Sequence, residues 1–595
     1  MMPTPTQHRL PMRHGDFSRL ADALDYAAQG ETGFNFYNGR GDLVAPLSYR
    51  ELRTRALATA RRLIGLGLEP GDRVALVADT VPGFMDCFWA CQYVGLVPVP
   101  LPVTVGLGSR DAYIRQLSGL LGGCDAAAAF APEDFMAFLE KAAEGHPLRH
   151  IGSFETLQDL PEANTLPPLP EVSATAYLQF TSGSTQFPRG VIITQAQVMQ
   201  NLTSILRLGV QMREDDRLVS WLPLYHDMGL VGFMLAALTS QRSVDYLATR
   251  DFAMRPRQWL SLISRNRGTI AFSPSFGYEL CARRIRHGAT DFDLSSWRIA
   301  GAGAETIRPT SLNRFAETLA PAGFDSRAFL ACYGMAECSL AISFAPLDTG
   351  LEIDTVDAEK LATQQIAEPA DAQQVERTNT FVDCGEVLPE YDFEILDGEG
   401  RPLGDRRVGA IKVRGPSVMS GYFGSPEQTR KSLSDDGWLD TGDLGYRIGR
   451  RIVITGRAKD LIIVNGRNIW PQDLEWLAEQ QPELRPGDAL AFAAPSAVGS
   501  DAAVVVVQCR AREAEARNAL IKRLEGLIRR EFGVECLVEA VAPHTLPRTS
   551  SGKLSRAGAR RDYIARLQER VHERRRPADV GSTADADHDS DRQAG

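Results

Sequence analysis

The chain has 595 residues, 44% of them hydrophobic and 24% charged, with 65 Lys+Arg against 75 Asp+Glu and a net charge of -10. That composition supplies a large buried core and excludes general disorder. An acidic balance also lacks the cationic surplus of a nucleic-acid-coating surface, so no nucleic-acid partner is expected.

The stretch from Met1 to Leu20 contains no continuous apolar run of signal-peptide length. The longest apolar runs, Gly229–Leu238 and Ala502–Val507, fall far short of the ~20 residues of a spanning helix. A cytoplasmic protein with no membrane span is therefore expected. Nine cysteines are scattered through apolar surroundings. Cys87 and Cys91 stand four apart, but no second Cys/His pair accompanies them at metal spacing, so reduced core thiols are expected.

Strand-like and helix-like segments alternate along most of the chain, the pattern of a layered α/β fold. Ser48 followed by Glu51 reads as a capping box opening an amphipathic helix up to Leu66, with Leu52, Ala56, Ala60, Leu63 and Ile64 on one face. Strands are predicted at Arg73–Ala78 and Gly95–Val99. After the β-type run Ala176–Phe180 comes Thr181-Ser182-Gly183-Ser184-Thr185-Gln186-Phe187-Pro188-Arg189-Gly190. Its hydroxyls, backbone N–H groups and trailing cation suit polyphosphate oxygens, although no Lys-Ser/Thr pair closes it as in a P-loop; a plain surface loop has the same composition.

Trp221–Gly229 sets His226 in a Pro/Gly-framed apolar run, where a lone histidine is more often structural than catalytic. Tyr333-Gly334-Met335-Ala336-Glu337 offers an aromatic ring to cover a purine and a carboxylate to hold Mg²⁺. Asp348–Thr380 carries eight acidic and two basic residues, and reads as an inserted element. From Gly409 to Gly456, short β-type runs predict a β-rich subdomain ending near Arg457. Within it, Asp443 and Arg457 could serve a ribose. Lys459–Tyr563 reads as a separate small α/β domain. There Lys553 sits in the Gly/Ser-rich turn Pro547–Leu554, able to meet developing negative charge. Pro577–Gly595 is small, polar and acidic and is expected to be a disordered tail.

In this order the five motifs resemble the adenylate-forming superfamily of acyl-activating enzymes, from about Phe17 to Tyr563. SWLPLYHDMGLVG, FSPSFGYELCARRI, DLSSWRIAGAGAET, CYGMAECSLA and GRAKDLIIVNGRNIWPQDLE are most similar to its fatty acyl-AMP ligase branch. The resemblance implies an α/β fold: a large N-terminal domain over 1–458, with layered α/β subdomains, a β-rich subdomain and an insertion at 348–380, then a small mobile C-terminal α+β domain over 459–576 and a tail at 577–595. It also implies that Thr181, Ser182, Gly183, Ser184 and Thr185 wrap the ATP phosphates and that Glu337 binds Mg²⁺. Tyr333, Gly334 and the turn Gly303-Ala304-Glu305 would frame adenine, Asp443 and Arg457 hold ribose, and Lys553 contact the carboxylate and α-phosphate. His226 joins Lys553 and Glu337 as a catalytic candidate, and Lys459-Asp460 would form the hinge. Gln186 and Arg189 depart from the usual glycine and lysine of the phosphate loop; Arg189 keeps the charge as a planar fork.

The implied activity is formation of a fatty acyl-adenylate from ATP, then transfer to the phosphopantetheine thiol of an acyl carrier protein. A fatty acyl-CoA ligase, an amino-acid adenylating enzyme using Glu279, and a non-catalytic acyl-binding regulator stay open as alternatives. Residues 553–576 hold nine basic and three acidic side chains. Arg556, Arg560, Arg561 and Arg566 are accordingly expected to dock an acidic carrier protein, although a solvated helix face would look the same.

Overall fold

The computed structural model describes residues 10–103, 110–181, 188–285, 289–371, 377–464, 467–495, 501–548 and 554–575. Ser182, Gly183, Ser184, Thr185, Gln186, Lys553 and the predicted tail at 577–595 lie outside them.

The N-terminal part is layered. One sheet runs Val97–Leu101, Arg73–Val77, Ala126–Ala131, His150–Ser153 in space, all parallel. The predicted strand at Gly95–Val99 starts two residues later, because Gly95 takes the left-handed conformation (φ 68°) that ends the helix Pro82–Val94. The helix opened by Ser48 spans Tyr49–Gly65, and the Ser48 side chain accepts from the Glu51 N–H at 3.2 Å. Such a cap contributes about 1 kcal/mol. The Glu51 carboxylate is drawn to Arg55 at 3.4 Å. Leu52, Ala56, Ala60 and Leu63 are buried as their spacing predicts, and Ile64 is partly so.

A second sheet of fourteen described strands carries most of the rest of this part, beside a small antiparallel sheet of Thr175–Phe180, Gly190–Thr194 and Gly421–Tyr422. Gly33–Tyr37, Ser243–Leu247, Arg217–Ser220, Ile270–Ser273, Ile299–Ala302 and Phe329–Gly334 pair in parallel. The sheet then turns antiparallel through Ala341–Phe344, Thr378–Val387, Arg451–Arg457, Leu439–Ile448, Gly409–Arg414 and Asp392–Leu396; the predicted β-rich region from Gly409 supplies three of these strands, and the other three come from before it. Parallel strands of an open α/β sheet place their carboxyl ends, and the loops that follow, on one side, where ligands bind. The loops carrying His226, Glu305 and Glu337 all follow such ends.

The acidic segment is a built element. Ile353–Asp357 pairs with Thr378–Val387, the helix Ala358–Gln364 follows, and Val356, Leu361 and Ala367 pack with Phe381, Tyr446 and Trp470. Beyond it, Ala489–Pro495, Asp501–Gln508 and Cys536–Val541 form a small mixed sheet with the helices Pro471–Glu479, Ala514–Phe532 and Arg556–Arg575. A hydrophobic core of its own lies under this part, giving a large N-terminal and a smaller C-terminal domain.

The cysteines are unpaired, and all but Cys332 are buried. No helix among the described residues is long and apolar enough to cross a membrane.

Candidate active site

One cavity of about 980 Å³ collects the predicted motifs. Thr181, Arg189, His226, Ala304, Glu305, Tyr333, Gly334, Glu337, Asp443 and Arg457 all border it. Gly303 does not; it is set back against Cys332, where an added Cβ would lie 2.8 Å from the sulfur, and it lets the chain turn into Ala304 at φ 67°. Gly334 is forced by close approach, since a Cβ there would meet the Leu340 carbonyl at 1.8 Å.

Asp443 and Arg457 face each other across two antiparallel strands, and Arg457 Nε lies 3.0 Å from Asp443 Oδ1. The Tyr333 hydroxyl donates to the other oxygen, Oδ2, at 2.7 Å. Burial raises the Asp443 carboxyl above its ordinary value; the Arg457 guanidinium and the Tyr333 hydroxyl pull it back. A ring, a carboxylate and a guanidinium thus meet at one point, a donor and acceptor set suited to a nucleoside.

Glu337 lies on the short turn Ala336–Cys338. The Tyr422 hydroxyl donates to its Oε1 at 2.9 Å, and the Arg189 guanidinium lies 5.2 Å from the centroid of the Tyr422 ring. Burial raises the Glu337 carboxyl, and the Tyr422 hydrogen bond and Arg457 oppose that shift. Among the described residues no group of three or more His, Cys, Asp or Glu could hold a metal with protein ligands alone. A lone buried carboxylate beside the residues expected to meet phosphate still fits Mg²⁺, which takes one or two carboxylates and completes its shell with phosphate and water. Tyr422 escaped the sequence reading; its one signal was an aromatic residue between Gly421 and Phe423 in the β-rich region.

His226 caps the turn Asp227–Gly229, with Nδ1 accepting from the Met228 N–H at 3.3 Å and lying 2.6 Å from Asp227 Oδ1. Thr181, at one end of the segment expected to bind phosphate, donates its N–H to the carbonyl of Arg189 at the other end, at 3.0 Å. Arg548 and Leu554, on either side of the segment that contains Lys553, pair as an antiparallel bridge and border the cavity.

Several charged groups are committed elsewhere. Glu279 pairs with Arg283 at 2.7 Å and Arg314 at 3.4 Å, so its charge is already offset and an incoming ammonium group finds two cations. Arg556 grips Glu475 at 2.7 Å and reaches Asp460 at 3.5 Å; Arg566 holds Glu539 at 2.6 Å; Arg560 donates to the Ala493 carbonyl at 2.9 Å. These contacts correct the expected docking set: Arg556 and Arg566 are spent within the C-terminal domain, while Arg560 and Arg561 stay exposed. Across the crevice, Arg308, at the start of the helix Pro309–Leu319, pairs with Glu479 at 2.7 Å.

The apolar remainder of the cavity is lined by Ile205, Val210, Met212, Leu218, Phe233 and Ile270, among others.

The description of one protein family, AMP-binding enzyme, matches residues 34–423. A Caulobacter vibrioides protein provisionally named an acyl-CoA synthetase is 48% identical over 95% of this chain and 98% of its own length. The medium-chain-fatty-acid–[acyl-carrier-protein] ligase JamA of Moorena producens is 30% identical over 93% of this chain and 96% of its own. A solved structure from work on fatty acyl-adenylate ligases of E. coli and L. pneumophila superposes with a TM-score of 0.90 at 48% identity, covering 94% of this chain and all of that one.

Proposed function

The chain belongs to the AMP-binding enzyme family, and on that premise we propose that it converts a fatty acid and ATP into an acyl-adenylate and pyrophosphate, then transfers the acyl group to the phosphopantetheine thiol of an acyl carrier protein. The observation that carries this reading is one cavity bordered both by the Tyr333–Asp443–Arg457 cluster and by the apolar side chains Ile205, Val210, Met212, Leu218, Phe233 and Ile270. A nucleotide and a hydrocarbon chain can share it.

In the first step a carboxylate oxygen attacks the α-phosphorus and the bond to pyrophosphate breaks. In the second, a thiol sulfur attacks the acyl carbonyl, the bond to AMP breaks, and the thiol proton passes to solvent. The first step brings anions together, so orientation and positive charge are what the protein must supply. Asp443 and Arg457 hold the ribose, Tyr333 and the Ala304–Glu305 turn bound the adenine, and Arg189 with the loop from Thr181 to Thr185 meets the phosphates. His226, rigid in its cap, borders the reacting carboxylate. Lys553 brings its ammonium to the same charge. Glu337 would hold Mg²⁺, which when bound offsets phosphate charge. We place the domain boundary between residues 458 and 459, at the turn Ala458–Asp460.

The name of JamA supports a carrier protein as acceptor. Coenzyme A is the second reading, favoured by the provisional name of the Caulobacter relative. The committed charge of Glu279 counts against an amino acid as substrate. ATP–pyrophosphate exchange tests the first step: it should depend on added fatty acid and on Mg²⁺, and exchange driven by amino acids alone would reject the reading.

A further inference from the structure

Two helical stretches that wall the apolar part of the cavity each contain a π turn, Ile205–Gly209 and Leu230–Leu235. Ile205, Gly232 and Phe233 border the cavity, as do Val210 and Met212 just beyond the first turn. A π turn is rare, closes i→i+5 hydrogen bonds and recurs at functional sites. Here the Val210 N–H donates to the Ile205 carbonyl, five residues back, at 2.8 Å. An α-helix sets successive residues about 100° apart. Rewinding the extra residue into an α turn would therefore rotate the residues beyond it, Val210 and Met212 included, by that angle. Walls of this kind need support from outside.

A segment without regular secondary structure, Arg13–Asp16, supplies it; none of its residues borders the cavity. Gly15 is buried, with φ 72°, and lies flat against the first stretch. A Cβ on it would come within 3.2 Å of Leu206 Cδ1, 3.3 Å of the Thr203 nitrogen and 3.4 Å of the Leu202 carbonyl carbon. Its N–H donates to the Thr239 carbonyl at 3.3 Å, and its own carbonyl accepts from Thr203 Oγ1 at 3.0 Å. Thr203 precedes the first π turn and Thr239 ends the helix that follows the second, so one residue ties the two walls together. The neighbours reinforce it. The Arg13 N–H donates to Oε1 of the buried Gln241 at 2.6 Å, and Gln241 Nε2 donates to the same Thr239 carbonyl at 2.7 Å. His14 Nε2 donates to the Met212 carbonyl at 3.2 Å.

The segment is also anchored away from the walls. The Tyr26 hydroxyl, on the helix Leu20–Ala27, donates to the Pro11 carbonyl at 2.7 Å. The Arg13 guanidinium lies 3.8 Å from the centroid of the Phe17 ring and 5.3 Å from that of Tyr26. Fixed at that end, the segment holds the walls instead of following them. Asp16 and Arg207, 3.5 Å apart and both about half exposed, add little.

We infer that Arg13–Asp16 is a strap that positions the apolar wall for the acyl chain, with Gly15 and His14 as positioning residues acting through the two π turns and Met212. The inference rests on the acyl-adenylating reading above. With the strap lifted, the wall loses the register that presents Ile205, Val210 and Met212 to the substrate. The Tyr333–Asp443–Arg457 cluster stands on other strands, which the strap does not touch, and keeps its geometry.

The test is ATP–pyrophosphate exchange on the full chain, with KM measured for ATP and for whichever saturated fatty acid gives the highest wild-type kcat/KM. Gly15→Val puts a branched side chain at a left-handed φ against Leu206 and the Thr203 backbone, and should lift the strap. KM for the fatty acid should rise at least tenfold while KM for ATP stays within twofold. His14→Ala should raise the fatty-acid KM several-fold, and His14→Gln, which keeps an N–H donor, should return it to within twofold of wild type. Thermal melts confirm folding, and the His14 variants carry the test if Gly15→Val melts at assay temperature. Hydrogen exchange read by mass spectrometry should quicken at residues 205–212 and 230–239 and stay unchanged at 439–457. Wild-type KM values in every variant, equal rises in both constants, or protection lost over the whole chain would overturn the strap alone. No exchange with any fatty acid in the wild type would overturn the acyl-adenylating reading and the strap with it.

Discussion

The Tyr333 hydroxyl donates to Asp443 Oδ2 at 2.7 Å, and Arg457 Nε lies 3.0 Å from Oδ1 of the same carboxylate. Tyr333 closes the last strand of the parallel region and Asp443 sits in the antiparallel region, so this contact ties the two halves of the sheet together at the carboxyl end of that parallel strand. A hydrogen bond to a charged group contributes about 1.5–3 kcal/mol. Tyr333→Phe should therefore raise KM for ATP by about tenfold or more and leave KM for the fatty acid within twofold, in steady-state kinetics with each substrate varied. Equal effects on both constants would mean a general loss of structure.

The second contact of this kind joins Tyr422 to Glu337. Burial already raises the Glu337 carboxyl, and the Tyr422 hydroxyl is one of the groups that holds it down. Removing that hydroxyl in Tyr422→Phe raises it further, so the carboxylate takes its proton at a higher pH. The acid limb of the adenylation profile should move to higher pH, and half-saturation by Mg²⁺ should rise several-fold. An unmoved acid limb would separate Tyr422 from Glu337 in function.

Asp473, in the first turn of the helix Pro471–Glu479, offers a prediction about stability. Burial raises its carboxyl to about 7, against the Asn379 hydrogen bond and the Arg377 charge; Glu475 adds to the rise. An unfolded aspartate titrates near 3.9. Between about pH 4 and pH 7 the folded chain keeps a proton that the unfolded chain has lost, so stability from this group falls as pH rises through that window. Asp473→Asn stays neutral throughout. Its melting temperature should match wild type near pH 4 and exceed it increasingly up to pH 7; a constant difference across the range would contradict the assignment.

Arg308 and Glu479 pair across the crevice between the two domains. Burial raises the Glu479 carboxyl, and Arg308 and the Gly487 N–H oppose that. If the C-terminal domain turns between the half-reactions, this pair belongs to the first. Glu479→Gln should slow adenylation about tenfold, the kinetic equivalent of about 1.4 kcal/mol, without slowing thiol transfer from preformed acyl-adenylate. The exchange Arg308→Glu with Glu479→Arg should recover most of the loss. Equal slowing of both steps would remove the pair from any role in domain position.

The sequence exposed the fold class and most of the candidate site for a physical reason: the nucleotide chemistry proposed for it needs particular groups on particular turns. Thr181, Glu337, Tyr333, Asp443 and Arg457 stand out as polar residues closing apolar runs, and the structure brings them to one cavity. Partners at long range were invisible. Nothing local links Tyr422 to Glu337, 85 residues apart, or Arg556 to Glu475, 81 apart. The arginine run that opens at Arg556 suggested a docking face because charge can be counted along a sequence, whereas the acids that neutralise it come from other strands and helices. The apolar part of the cavity was hidden for a similar reason. Met212, Gly232 and Ile270 are ordinary apolar or small residues until the fold brings them to one cavity.

The acceptor decides the proposed function. The most direct measurement incubates the protein with ATP, Mg²⁺ and dodecanoic acid, offers coenzyme A and holo-acyl carrier protein at equal concentration, and identifies the products by mass spectrometry. Acyl-adenylate and acyl-carrier protein, with coenzyme A left unacylated, are the predicted products. Efficient formation of acyl-coenzyme A with an unmodified carrier would contradict it.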